Sequence, residues 1–374
     1  MQPNVLLVYS RVGGGHLSAA RALAAELEAS GQVTPRLLDI YLQAGRFPVT
    51  AFPRAYAELA RHHPRLWALI YHDVGRLRLD PARVLGPFVW PGLRRVLHET
   101  PPALIVSVLP AVNSLLGQAA ARCGARLEVV LTDWHSVHPF WVAHGVERYT
   151  APTDSARDDC IRFGAPPERV EVVGIPVRRA FAAPVASQCQ PRRRLVEVGL
   201  DPGRFTILAM VGAEGSPRAV RNIARLMRLD LDAQLIVVCG HNDALRQRVE
   251  RLPRRLLTQA VGFVEDIDEL MRAADVLVTK AGGLTLAEAF CTGVPVVVHD
   301  LLPGQEAGNL AYAMQHEAVV YAPDPDALAR VLVGLHGDAA RRAELARRGR
   351  LLARPAAAQR IAAGLLERLV VVGP

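Results

Sequence analysis

Residues 5–25 read Val-Leu-Leu-Val-Tyr-Ser-Arg-Val-Gly-Gly-Gly-His-Leu-Ser-Ala-Ala-Arg-Ala-Leu-Ala-Ala, and this stretch decides the fold. Val5 to Tyr9 is apolar without alternation, the pattern of a short strand buried on both faces. Ser18 to Ala29 is an amphipathic helix. Between them three glycines let the backbone turn tightly and approach a ligand. Strand, glycine turn and helix together open a βαβ unit of a parallel sheet. Working outward, Arg36–Ile40, Leu104–Val108, Leu127–Leu131 and Val170–Val173 read as further strands. Pro176 to Pro191 holds three prolines and little periodicity, and reads as a linker. The alternation then restarts with strands at Phe205–Met210, Leu235–Cys239, Val276–Thr279 and Val294–Val298, and Pro355–Leu369 is one more helix. The fold class is α/β, with two Rossmann-like domains facing across a cleft. Residues 1–178 form the first domain, with an insertion at 41–98. Residues 179–191 are the linker, 192–354 form the second domain, and 355–374 return to the first.

The chain has 374 residues, enough for two domains at roughly 150 residues each. Hydrophobic residues are 51% and charged residues 21%, which excludes wholesale disorder. The formal net charge is +8, and Lys280 is the single lysine. Ala281 follows it, so no P-loop is present. Five scattered cysteines without a Cys-x-x-Cys pair describe neither a disulfide framework nor a zinc site, and suit a reducing cytosol. The N-terminus lacks a basic n-region, so no signal peptide is expected. Thr100 to Ala121 is uncharged, but Pro101, Pro102 and Pro110 break it, so it reads as strand, turn and helix rather than a membrane span.

Tyr41 to His98 breaks the alternation. Its 58 residues carry nine arginines against Glu58, Asp73 and Asp80, or 9 − 3 = +6, and eight of the twenty aromatics. Arginines interleaved with aromatics suit a lipid headgroup layer, and equally suit a helical insertion whose aromatics enter the core. Because the charge is concentrated there and no nucleic-acid module is visible, nucleic acid is not an expected partner.

Four motifs follow strands. Ser10 to His16 is not G-x-G-x-x-G, so a nicotinamide cofactor is disfavoured. His16 stands at a helix start, where an imidazole of ordinary pKa near 6.5 suits a general base. Thr279-Lys280-Ala281-Gly282-Gly283-Leu284-Thr285 offers amides to a diphosphate. Glu288 is placed either to accept ribose hydroxyls or as favourable charge early in a helix. Pro303-Gly304-Gln305-Glu306 with Asn309 offers an amide and a carboxylate to sugar hydroxyls, or caps a helix. Thr132-Asp133-Trp134 has His135, His138, Trp141 and His144 nearby at spacings that match no standard metal site. The Asp-x-Asp pairs Asp230/Asp232, Asp266/Asp268 and Asp324/Asp326 read as caps or turn residues.

Together these motifs resemble the monogalactosyldiacylglycerol synthase and processive diacylglycerol glucosyltransferase family. These are inverting GT-B glycosyltransferases, related to the enzyme that makes lipid II. The resemblance rests on Gly13-Gly14-Gly15-His16, on Thr132-Asp133 with His138, Trp141 and Arg148-Tyr149, and on Val173-Gly174-Ile175-Pro176-Val177. It extends to Gly262-Phe263-Val264 through Met271, to Thr279–Gly283 with Glu288, and to Pro303–Glu306 with Asn309. The chain departs from the family at Val211-Gly212-Ala213-Glu214-Gly215, where relatives carry a longer glycine run.

The resemblance implies transfer of a hexose from a UDP-hexose to diacylglycerol, giving a β-glycolipid at the cytoplasmic side of a membrane. His16 is the expected base, with Asp133 as its rival. Donor contacts fall to Gly14, Gly15, Gly212, Gly262, Phe263, Val264, Lys280, Gly282, Gly283, Leu284, Thr285, Glu288, Gln305 and Glu306. Arg61, Arg65, Trp67, Arg76, Arg78, Trp90, His138 and Trp141 are expected on the acceptor and an anionic membrane. No cofactor or metal is expected, because amides and a helix end take the metal's place. Transfer to a polyprenyl-linked acceptor and sugar-nucleotide 2-epimerisation are the alternatives.

Overall fold

The computed structural model describes residues 2–12, 14–76, 80–183, 192–211 and 216–370. The chain divides into two compact units, one of residues 1–59, 65–179 and 354–374, the other of residues 60–64 and 180–353.

The first unit is built on six parallel strands: β1 (Asn4–Tyr9), β2 (Thr34–Asp39), β3 (Leu104–Ser107), β4 (Arg126–Val130), β5 (Arg148–Ala151) and β6 (Val170–Val172). Their order is β2-β1-β3-β4-β5-β6. Helices α1 (Gly14–Ser30), α2 (Phe52–His62), α3 (Pro64–Arg76), α4 (Pro81–Glu99), α5 (Asn113–Cys123) and α6 (Asp154–Arg162) accompany them. Alternate residues of β1 serve opposite cores. Val5 and Leu7 pack with Leu23 and Leu27 of α1 and with Ile361 and Leu365 of the C-terminal helix Ala357–Val370. Leu6 and Val8 pack with Ile40, Leu93, Leu116 and Trp141. Burial on both faces is why the strand reads as a continuous apolar run. The C-terminal helix is fastened to β4 by Arg368, whose guanidinium donates to both oxygens of buried Glu128 at 2.7 Å. Gly174, at φ 130°, makes room for this return, since a Cβ there would lie 2.5 Å from the Arg354 Cβ.

The insertion at 41–98 contains α2, α3 and α4, preceded by a turn at Ile40–Ala44 and another at Val49–Ala51. Pro87 and Pro91 lie inside α4. The aromatics of the segment form a ladder, Tyr41–Phe52–Tyr56–Trp67–Tyr71, with ring centroids 4.8 to 6.3 Å apart.

The second unit repeats the design with β7 (Phe205–Met210), β8 (Ala233–Val238), β9 (Leu257–Val261), β10 (Val276–Lys280), β11 (Val296–Asp300) and β12 (Val319–Tyr321), ordered β12-β11-β10-β7-β8-β9 and all parallel. The linker reading covers a short helix at Arg179–Ala182 and a bend at Ala183, and residues 184–191 lie outside the described residues.

Both sheets reverse their winding direction at one place. In the first sheet this is between β1 and β3, and in the second between β7 and β10. Loops at the carboxyl ends of such strands leave a crevice where ligands of open α/β sheets bind. The His16 turn follows β1, and the Gly282-Gly283 turn follows β10. Three strands, β5, β9 and β12, go unread in the sequence pattern. β12 is a three-residue edge strand, and β9 is an edge strand with Leu257 and Gln259 exposed.

Candidate functional site

In the first unit the turn after β1 is pinned on two sides. Ser10, fully buried, accepts from the Val12 amide through Oγ at 3.1 Å. Asp39, at the end of β2, accepts from the Arg11 amide at 3.2 Å and from the Leu42 amide at 3.2 Å. Asp39 and Ser10 are supports that sequence reasoning missed. The signal available was a single polar residue closing an apolar run. At Gly14 the space a Cβ would occupy is open to 4 Å.

His16 lies in the first turn of α1. Its Nδ1 is buried with no hydrogen-bond partner among the described residues. Burial pushes the imidazole down from 6.5 to about 4, which corrects the expectation of an ordinary value. The ring is therefore neutral at physiological pH.

Asp133 follows β4. Its Oδ2 accepts from Trp141 Nε1 at 2.8 Å. Trp141 is 0% exposed and belongs to the core, so it cannot lie on a membrane as expected. His138 is also buried. It sits beneath α3 with its ring 4.5 Å from that of Tyr71, and is corrected from a lipid contact to an internal one.

Helix α3 is apolar on two faces. Trp67 and Tyr71 point inward, Trp67 edge-on to Tyr56 at 4.8 Å with its indole nitrogen buried. Leu66, Leu69 and Ile70 point outward and are 48%, 58% and 39% exposed. The outward apolar surface is thus this triplet, and Trp67 is corrected to an inward anchor. Trp90 is half-buried under the Arg122 guanidinium, 4.3 Å from its ring centroid. Arg65 is exposed and Arg61 half-buried, whereas Arg78 and the side chain of Arg76 lie outside the described residues.

In the second unit a register slip between Thr279 and Lys280 sets Lys280 against Asp300. Lys280 Nζ donates to Glu306 Oε1 at 2.7 Å, and Glu306 Oε2 accepts from the Leu302 amide at 2.8 Å. Asn309 Nδ2 donates to the Ala281 carbonyl at 3.2 Å. Buried Glu306 thus organises the turn, while Gln305 beside it is half-exposed. Gly282 caps the helix Gly283–Thr292, which opens directly after β10. Leu284 is buried in the core, so it has only its backbone to offer, while Thr285 is half-exposed. Glu288 is the sixth residue of this helix and buried, beyond the first turn where a carboxylate gains from the helix dipole. Phe263 after β9 is 54% exposed and stacks on His241 after β8 at 4.4 Å and 10°. Gly262 and Val264 flank it, and Gly212 lies outside the described residues.

The Asp-x-Asp pairs have other partners. Asp232 meets Arg204 at 3.3 Å, Asp266 meets Arg194 at 3.0 Å, and Asp268 meets Arg272 at 2.8 Å. Asp324 caps the helix Pro325–Gly337, and Asp326 meets Arg225 at 3.0 Å. Among the described residues no three His, Cys, Asp or Glu side chains converge as a metal site would require.

Two histidines with depressed pKa values give a pH dependence. His299 accepts from Asn222 Nδ2 at 2.9 Å and, like His16, is pushed down to about 4, chiefly by burial. Unfolding frees both to bind a proton near 6.5, so the unfolded state holds more protons between the two values. Their contribution to stability is whole above about 6.5 and is lost as pH falls towards about 4. The Tm should therefore drop between pH 7.5 and 5, and less steeply in His299→Asn. An identical slope in the variant removes His299 from the account.

Residues 16–177 match the model of the monogalactosyldiacylglycerol (MGDG) synthase family, and residues 206–338 that of glycosyl transferases group 1. The chain is 30% identical over 347 residues to a probable monogalactosyldiacylglycerol synthase 2, chloroplastic, of Oryza sativa subsp. japonica, covering 87% of this chain and 72% of that one. It is 28% identical over 326 residues to a processive diacylglycerol beta-glucosyltransferase of Bacillus pumilus, covering 84% and 82%. Among solved structures, Acinetobacter baumannii MurG superposes with a TM-score of 0.62 at 16% identity, covering 98% of this chain and all of that one, a likeness of fold.

Proposed function

The chain belongs to the monogalactosyldiacylglycerol synthase family, and we infer from this that it moves a hexose from a UDP-sugar to diacylglycerol on a GT-B fold, making a membrane glycolipid. The chemistry is carried by one observation: a neutral imidazole, His16, opens α1 at the switch point of the first sheet. We propose that His16 takes the proton of the glycerol hydroxyl as its oxygen attacks the anomeric carbon. Attack opposite the leaving UDP inverts that carbon and gives the β-linked product. Asp133, after β4, is the second acceptor-side group, at the carboxyl end of the same sheet. On the donor side, the amides at Gly282 and Gly283, with Lys280, would stabilise the negative charge that gathers on the departing diphosphate. Glu288 would hold the ribose, Gln305 would lie by the sugar on the turn that Glu306 holds through Lys280 and the Leu302 amide, and the Phe263 face would meet the uracil.

The reading is tested with labelled UDP-glucose or UDP-galactose and detergent-dispersed diacylglycerol. A labelled lipid, formed equally with and without EDTA, is the expected result. An epimerised nucleotide with no lipid product overturns it. Turnover that stops on chelation and returns with Mg²⁺ restores the Asp-x-Asp pairs as candidates.

The acceptor resides in a bilayer, and among the described residues no helix is long and apolar enough to cross one. We propose that the insertion docks reversibly on an anionic membrane surface at its cytoplasmic side. The described cysteines Cys123, Cys160, Cys239 and Cys291 are free thiols, which suits that compartment. Leu66, Leu69 and Ile70 would enter the headgroup layer, and Arg61 and Arg65 would meet anionic lipid at about 1 kcal/mol each. Replacing the three apolar residues with serine should abolish sedimentation with anionic vesicles. Replacing Arg61, Arg65, Arg76 and Arg78 with glutamine should weaken it, and the remaining binding should depend less on salt. Parental sedimentation of the serine variant would remove α3 from the docking surface.

A further inference from the structure

We propose that helix α3 sets the position of Asp133, through His138 and Trp141. The element that offers its outer face to lipid thereby also holds the acceptor-side carboxylate. This rests on the reading of Asp133 as a group of the acceptor site.

The relay begins at a gap in the helix. Gly75 stands four residues after Tyr71, on the same face. A Cβ at Gly75 would lie 2.9 Å from His138 Nε2. The missing side chain lets the imidazole reach the helix backbone, where Nε2 lies 3.1 Å from the Tyr71 carbonyl oxygen. His138 Nδ1 accepts from the Phe140 amide at 3.2 Å, which puts the ring proton on Nε2 and makes Nε2 the donor to Tyr71. The rings of Tyr71 and Phe140 close on the imidazole at 4.5 and 4.4 Å.

His138 thereby caps the turn Pro139–Trp141. That turn is held from below by Asn113 of α5, whose Nδ2 donates to the Trp141 carbonyl at 3.0 Å. The buried indole then has one orientation, and its Nε1 donates to Asp133 Oδ2 at 2.8 Å. Gly75, His138 and Trp141 are positioning residues in this account, since none is assigned a contact with the reacting atoms. Buried contacts of this kind transmit small displacements because the packed side chains have nowhere else to go.

The test uses the full chain with Trp141→Phe, Gly75→Ala and Asp133→Asn, singly and paired. Phenylalanine keeps an apolar ring and removes the N–H. Trp141→Phe should lower kcat about tenfold with the KM for UDP-sugar unchanged, and Gly75→Ala should do the same while vesicle sedimentation stays parental. In the Asp133→Asn background each should add less than twofold, because the carboxylate they position is gone. Parental kcat in Trp141→Phe, or an equal fall with and without the carboxylate, overturns the relay. Parental kcat in Asp133→Asn alone overturns the role of Asp133 and the relay's catalytic meaning with it. If Gly75→Ala does not fold, Trp141→Phe carries the test.

Discussion

Replacing His16 with alanine should lower kcat by at least about 10²-fold and leave UDP affinity near the parental value. A glycerol hydroxyl is a poor nucleophile until its proton has somewhere to go, and general-base assistance contributes about 10² to 10⁴ in rate. Burial shapes how His16 does this. Its Nδ1 is enclosed without a partner among the described residues. A buried polar atom left without a hydrogen bond costs about 1 to 3 kcal/mol, and a hydroxyl donating to it would relieve that cost. The pKa of about 4 means the base is already deprotonated across the working range. The pH profile of kcat/KM should therefore stay flat from pH 8 down through pH 6. Steady-state kinetics beside UDP titration on the variant decides the matter. A fall of less than tenfold would reduce His16 to a loop-shaping residue and make Asp133 the leading base. A collapse of UDP affinity would make it a donor ligand. An acid limb near 6.5 that disappears with His16 would show a solvated ring instead.

What the sequence disclosed of this site was its backbone, and what it concealed was which way side chains face. Strands buried on both sides are largely apolar runs, so β1, β3, β7 and β10 and the turns that follow them were legible, and β4 was legible despite its buried Glu128. Short or edge strands such as β12 and β9 bury too little to leave a pattern. In α3, Leu66, Leu69 and Ile70 form one helical stripe and Trp67 and Tyr71 another. Both are apolar, so periodicity alone does not say which one enters the core. The structure turns the aromatic stripe inward, half-buried against Tyr56 and His138. Trp141 misled for a related reason. The family resemblance carries it to the acceptor side, but its position at the end of a turn capped by His138 fixes it inside. The relay through Gly75 left no mark at all, because a glycine in a helix shows its purpose only beside the group that approaches it.

Replacing Glu288 with alanine should weaken UDP binding by about 30-fold to 10³-fold, or about 2 to 4 kcal/mol. Three features of its place in the fold support this. The helix Gly283–Thr292 is otherwise apolar where it is buried, with Leu284, Leu286, Ala287, Ala289 and Phe290 in the core. A carboxylate at such a place is there for its polar chemistry and not for apolar packing. Its position as sixth residue also removes the helix dipole as its reason to be there. Finally, the helix starts at the switch point of the second sheet, where a nucleotide's diphosphate would meet the amide end and its ribose would lie further along. A carboxylate there accepts from two vicinal hydroxyls through its two oxygens, a pair of charge-assisted bonds that alanine removes. Glutamine, with one carbonyl oxygen and no charge, should fall between alanine and the parent. Calorimetric titration with UDP, beside a thermal melt to show that the fold is intact, measures the loss. If the variant is folded and binds UDP as the parent does, Glu288 does not hold the ribose. An equal loss for UDP and for uracil alone would place the effect on the base instead.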